Sequence, residues 1–320
     1  MSTNEAKIDA FTPRWVHAWA VVTVCATFVL LLLGSLVTTK RAGMADPIWP
    51  TYPWHLWLVG FTEPRPGFII EHSHRLAGYI VGTCTIVLAV GLLFVEPRRW
   101  VRLLGVAALL GVIAQGLLGG FRVLLDQWLG TDLAVIHGCF AQIVFAMLVV
   151  LALAAGQSFR NPVGSSSKTL RRLAIAVVAL VYMQIIFGAL VRHTYSMSAV
   201  RHHLGSAFVV TIGVVWLVRE TWGNEDRLVR RAGYLLAAFT ACQLIMGVET
   251  FMGRYFMVRG LGHQIGIRTV HVLLGFLIFA SAVGLAVLVW RAAPADEESS
   301  DTGDRETELA YAASVAEGEA

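Results

Sequence analysis

Long apolar runs alternate with short polar breaks along the chain. Eight runs come close to the ~20 residues needed to cross a bilayer as a helix. They fall at about 16–38, 69–94, 100–121, 133–155, 170–191, 201–219, 231–252 and 268–290. The pattern predicts an all-α membrane protein with eight transmembrane helices. The apolar stretch Ala18 to Val37 is too long for a cleavable signal peptide, and no small-residue cleavage site follows it. The first run is therefore expected to remain as an anchor.

The second half of the pattern repeats the first. LLLGSLVTTKRAGM (31–44) echoes IIFGALVRHTYSM (185–197), with Gly34 opposite Gly188. IAQGLLGG (113–120) echoes ACQLIMGV (241–248), and VIHGCFAQIVFA (135–146) echoes TVHVLLGFLIFA (269–280). Gln115 thus matches Gln243, Gly119 matches Gly247 and His137 matches His271. Four helices precede the copy, an even number, so both halves run in one orientation as parallel repeats. The expected organisation is two pseudo-symmetric four-helix bundles at 16–156 and 170–291. A cytoplasmic tail (1–15), a cytoplasmic linker (157–169) and a disordered acidic tail (292–320) complete the chain.

Composition agrees with a membrane protein: 57% of residues are hydrophobic and 14% charged. Arg98, Arg99, Arg102, Arg160, Lys168, Arg171 and Arg172 fall on one side, and Arg219, Arg227, Arg230 and Arg231 join them. By the positive-inside rule that side, with both termini, is cytoplasmic, in a multi-pass protein of the inner (plasma) membrane. The net charge of +4 then reflects topology, and lipid rather than nucleic acid is the expected surroundings. Cys25, Cys84, Cys139 and Cys242 all fall within apolar runs and read as packing residues, with no disulfide framework. The first outer loop, about 40–68, carries Trp49, Trp54 and Trp57 among five prolines. It reads either as a lid or as an interfacial anchor.

Histidines carry the chemistry. His74, His137, His203 and His271 each stand near the start of an even-numbered helix, followed four residues later by Gly78, Ala141, Ala207 and Gly275. Positions i and i+4 lie one above the other on a helix face, so a small residue leaves room for a flat macrocycle beside an imidazole. Imidazole is also the usual protein ligand of haem iron. The expected depth is three to five residues past each helix start, at one level near the outer face. Two bis-histidine sites follow, His74 with His137 and His203 with His271. In the third position His202 competes with His203: the Ala207 spacing favours His203, and aligning HRL (74–76) with HHL (202–204) favours His202.

Glu71 shares a helix face with His74 at i and i+3, and an ionisable group at such a depth is a functional candidate. Its bland alternative is a helix cap. Arg75 suits a porphyrin propionate or snorkels outward. His72 points away from His74 and reads as a supporting or surface residue. His17 reads as structural, and His55, His193 and His263 as loop residues. Gln115, Gln184 and Gln243 are expected to bond across helices. Gly78/Gly82 and Gly116/Gly120 read as small-xxx-small packing motifs. No phosphate-binding glycine loop, H-E-x-x-H, C-x-x-C or nucleophile elbow occurs.

Taken together, residues 15–290 resemble the haem A synthase family. The resemblance rests on eight helices in two repeats, the E-x-x-H-R group at 71–75 and single histidines on the other even helices. It rests also on G-x-L-V-T (34–38) running to Gly43-Met44 and Trp49-Pro50. The resemblance implies that haem O, the substrate, binds between His74 and His137. It implies a haem b cofactor held by His203 (or His202) and His271, and a catalytic Glu71. The reaction implied is oxidation of a porphyrin methyl to a formyl group by successive hydroxylations with water as oxygen source. Haem O synthase and terminal oxidase subunits are the partners implied, with an unnamed electron acceptor. Some family members carry a cysteine pair in the outer loops, and these loops carry none. Two rival readings are a b-type cytochrome taking electrons from quinol and a non-catalytic haem carrier.

Overall fold

The computed structural model describes residues 12–46, 48–50, 67–194, 196–256 and 260–294. Eight helices fill most of it: α1 (Arg14–Thr39), α2 (Phe68–Val95), α3 (Arg99–Leu124), α4 (Asp126–Ala155), α5 (Lys168–Thr194), α6 (Met197–Thr221), α7 (Arg227–Tyr255) and α8 (Leu261–Arg291). All eight are long and apolar enough to cross a membrane. Their interiors hold no proline, and a helix satisfies every backbone group within itself, as lipid requires. The breaks are short and capped. Ser196 accepts from the Ala199 N–H before α6, and Asp226 accepts from the Leu228 N–H before α7. A two-residue parallel bridge, β1 (Ser165–Ser166) with β2 (Ala293–Pro294), is an addition that helical periodicity does not foretell.

Among the first four helices, α1 touches α2 and α4, and α3 touches α2 and α4; α5 to α8 make the corresponding contacts among themselves. The two sets meet where α4 packs on α8 and α5, and α1 on α8. α4 and α8 are accordingly the most enclosed helices. Leu148, Leu151, Leu285 and Leu288 are almost wholly buried there, and Phe145 meets Phe276 edge-on at 6.1 Å.

At the end opposite the histidines, a polar latch joins distant parts of the chain. The buried Glu96 carboxylate accepts from Arg98 at 2.6 and 3.0 Å and from the Thr12 hydroxyl at 2.5 Å. Burial alone would raise the Glu96 carboxyl, but the Arg98 and Thr12 hydrogen bonds outweigh it and hold the group below its ordinary value. Arg98 also donates to the Ala154 carbonyl at 2.7 Å. Arg291 pairs with Asp226, donates to the Ser158 carbonyl at 3.1 Å and lies 4.9 Å over the Phe159 ring. The latch thus fastens the linker between α4 and α5 to the α6–α7 turn and the end of α8.

Several expectations need correction. α4 and α8 begin at Asp126 and Leu261, well before their apolar runs, because polar first turns remain helical beyond the hydrophobic stretch. His193 and His263 consequently lie in α5 and α8 and not in loops. The four key histidines stand six to eleven residues past their helix starts, deeper than the three to five expected. Among the described residues, Gly78, Gly82 and Gly116 have nothing within 4 Å of where a Cβ would stand, so no described helix packs there; Gly120 of that set is covered, by Trp49. Trp54, Trp57, Pro47, Pro53, Pro64 and Pro66 of the first loop, His55 and nearly all of the acidic tail lie outside the described residues.

Candidate functional site

Each key histidine packs on a glycine of the preceding helix. The His74 ring lies against Gly34 of α1, His137 against Gly119 of α3, His203 against Gly188 of α5 and His271 against Gly247 of α7. A Cβ at those glycines would stand 2.8, 3.6, 3.1 and 3.4 Å from the respective Cε1 atoms. A side chain at position 34 would therefore displace the His74 ring, and one at 188 would press on that of His203. The two pairs of glycines are those that the internal repeat aligns.

Backbone carbonyls one turn before the glycines orient the rings. His74 Nδ1 lies 3.1 Å from the Leu30 carbonyl and His203 Nδ1 3.3 Å from that of Gln184. A looser version of the same contact links His137 with the Gln115 backbone and His271 with that of Gln243, short of a full hydrogen bond at Nδ1. The three glutamines bond across to the next helix, as expected. Gln115 donates to the His137 carbonyl at 3.1 Å, Gln184 to the His203 carbonyl at 2.9 Å, and the Gln243 amide nitrogen stands 3.4 Å from His271 Nε2.

The histidines come together in pairs. His203 and His271 meet edge-on with ring centroids 6.3 Å apart, and His137 lies within electrostatic range of His74. His202 does not join them: it is exposed, with Nδ1 2.7 Å from the Ser198 carbonyl and its ring tilted on Phe187. Geometry therefore selects His203 for the pair. A haem fits this donor set. At His74 and His203 the backbone carbonyl beside Nδ1 orients the ring and leaves Nε2 for iron. Gly78 and Gly138, beside His74 and His137, and Gly205, near His203, leave open space that a side chain would fill.

Glu71 sits one turn before His74 and is held on both oxygens. Oε2 accepts the Asp46 N–H at 2.8 Å and Oε1 accepts Arg75 Nη2 at 2.7 Å. The Arg75 guanidinium also donates to the Asp46 and Ile48 carbonyls, both at 2.5 Å. Arg75 thus ties the α1–α2 loop to α2 instead of snorkelling. Asp46 is buried, and its carboxylate pairs with the equally buried His72 at 2.9 Å, with that ring stacked on Phe68. Gly67, at φ +89°, makes the turn into α2 and packs on Ala42 of the same loop. Trp49 then lies over Gly120 of α3. The described start of the loop therefore straps α2 and α3 together above His74.

Sequence reasoning missed Asp46, Arg122 and Arg192. Asp46 is one acidic residue in a loop, and the two α2 residues it bonds, Glu71 and His72, lie more than 20 positions away. Arg122 and Arg192 belong to no motif that would single them out. Both are half-buried near the histidine pairs: Arg122 is within electrostatic range of His74 and His137, and Arg192 of His271. The four cysteines are free; Cys84 and Cys139 are buried, and Cys25 and Cys242 exposed.

A family profile described as "COX15-CtaA: Cytochrome oxidase assembly protein" matches residues 56–203. A heme A synthase from Shouchella clausii is 32% identical over 239 residues, covering 72% of this chain and 75% of that protein. Heme A synthases from Listeria welshimeri and Lysinibacillus sphaericus are each 26% identical, over 304 and 299 residues. Those alignments cover 87% and 84% of this chain and 96% of each relative.

Proposed function

The chain belongs to the cytochrome oxidase assembly family whose curated relatives are named heme A synthase, and from that premise we propose that it oxidises a methyl group of haem O to the formyl group of haem A. The observation that carries this reading is the pairing of four glycine-cradled histidines, two per half, with a single carboxylate, Glu71, one turn from the first.

On this reading, residues 16–156 and 170–291 are two pseudo-symmetric four-helix bundles. His74 and His137 hold haem O, and His203 and His271 hold a haem b cofactor. Haem b supplies one-electron redox chemistry when bound. The chain's own residues orient the substrate, exclude bulk water and handle protons. Gly34 lets the His74 ring approach α1 closely, which fixes the substrate iron and thereby the distance from the reacting methyl to Glu71. Water supplies the oxygen in successive hydroxylations, so each step releases protons beside the porphyrin. Glu71, hydrogen-bonded to Arg75 and the Asp46 N–H, positions that water and accepts a proton. The electrons leave to an acceptor outside the chain. The distribution of basic residues supports termini in the cytoplasm and a histidine end toward the outer face of the plasma membrane. There haem O arrives from its synthase, and the product serves terminal oxidase subunits.

The test is to co-express the chain with a haem O source, purify it in detergent, extract the non-covalent haems and separate them. A formyl-bearing haem supports the synthase. Unchanged haem O would assign a carrier, and haem b alone a b-type cytochrome.

A further inference from the structure

We propose that Arg122 and Arg192 form a carboxylate-binding site between the two histidine pairs, one guanidinium for the propionates of the porphyrin in each half. The inference rests on the two-haem reading above and adds the residues that would hold the acidic edge of each macrocycle.

The placement follows from helix geometry. Arg122 stands three residues after Gly119, which touches His137, and Arg192 stands four residues after Gly188, which touches His203. Residues at i+3 and i+4 share a face, so the face that receives each ring also presents a guanidinium about 5.4 Å nearer the histidine end. Two different helices, α3 and α5, provide the same arrangement. In each half, a porphyrin ligated by the ring on that face, with its carboxylates turned toward the histidine end, would reach the cation of that half.

Electrostatics calls for an anion there. The two guanidiniums lie within electrostatic range of each other, so their charges repel. Arg192 reaches across to α1, where it donates to the Ser35 carbonyl at 2.7 Å and the Thr39 hydroxyl at 3.1 Å, both neutral groups. Arg122 packs against Gly43 and feels Glu71 and Asp126 only at longer range. Glu71 is already taken by Arg75 and the Asp46 N–H. Among the described residues no ion pair engages either arginine. Buried charges are costly unless paired, and a flat ligand bearing carboxylates would supply the pairing with bidentate geometry. Arg75, the arginine that sequence reasoning favoured for this role, is occupied by Glu71 and two loop carbonyls.

The test uses the full chain, expressed under haem limitation and purified in detergent. Haem b and its dimethyl ester, in which both carboxylates are capped, are titrated separately and followed by the Soret band. The wild type should bind haem b about tenfold or more tightly than the ester, the scale of a lost charge-assisted hydrogen bond. Arg122→Gln with Arg192→Gln should abolish the preference while ester affinity stays unchanged. The Arg→Lys pair, which keeps the charges, should retain part of the preference and guards against misfolding of the Gln variant. Equal wild-type affinity for the two ligands would overturn the site, as would a preference that survives in the Gln pair. Equal affinity together with loss of co-purified anionic lipid in the Gln pair would assign the cations to lipid headgroups, and so overturn it too. Failure of the wild type to bind either ligand would instead defeat the haem reading, and this site with it.

Discussion

The start of α2 and the start of α6 occupy matching places, and they differ where chemistry would occur. Both helices seat a histidine on a glycine of the preceding helix and hold its Nδ1 with a backbone carbonyl. Counting from those histidines, Glu71 and Arg75 on α2 correspond to Val200 and Leu204 on α6. Before α2 a loop is buckled down by Asp46; before α6 the turn is a few residues long, with Ser196 as the cap. Both helices thus grip a ring, and the Glu71–Arg75 pair stands beside only the first. This is how function is commonly grafted onto a fold. On the proposed reading the first half reacts and the second serves as its redox partner.

The sharpest break in the comparison is Glu71→Gln. It should lower haem O conversion by about 10²–10⁴-fold, the usual span for a lost general base, while haem stays bound. Val200→Glu in the second half should leave the product unchanged. Extracted-haem chromatography reads both, and full activity in Glu71→Gln would refute the assignment.

The strap gives the next largest effect. Asp46→Ala removes the carboxylate from the buried His72, and loss of one partner of a buried hydrogen bond costs about 1–3 kcal/mol. Thermal unfolding in detergent should show a clear drop, with slower conversion, whereas Ser198→Ala beside His202 should change neither. An unchanged melting temperature for Asp46→Ala would show that the strap is not holding α2.

A smaller effect separates the cradles. Gly34→Ala should displace His74 and weaken the low-spin signal of the first haem more than Gly188→Ala weakens that of the second, because the contact is tighter at Gly34. Gly119→Ala and Gly247→Ala should be tolerated better still. Electron paramagnetic resonance checks the order, and equal effects at all four would contradict the cradle.

The smallest effect is at the latch, where the halves should respond together. Glu96 has a depressed carboxyl in the folded chain, so its contribution is present above the unfolded value and is lost as pH falls through the folded one. Acidification below the ordinary carboxylate range should therefore lower the melting temperature in the wild type, and less so in Glu96→Gln. Parallel pH curves would show that Glu96 contributes nothing.

Much of this architecture was legible because lipid imposes a length and a composition on every crossing segment. All eight helices, the paired histidines and the cross-helix glutamines came from that rule plus the repeat. The boundaries of α4 and α8 did not, since Asp126 to Asp132 and Leu261 to Arg268 are polar yet helical. Gly78, Gly82 and Gly116 looked like packing glycines because spacing alone cannot distinguish a helix contact from open space. Asp46 was invisible because its partners are remote in sequence. The adjacent His202 and His203 were separable only once Gly188 and His271 fixed which ring faces inward.

The division of labour between the halves can be read in one experiment: the haem content of His137→Ala and His271→Ala, each purified after expression with a haem O source. The expected result is loss of haem O with haem b retained in the first, and loss of haem b with haem O retained but unconverted in the second. Loss of the same haem from both variants would contradict it.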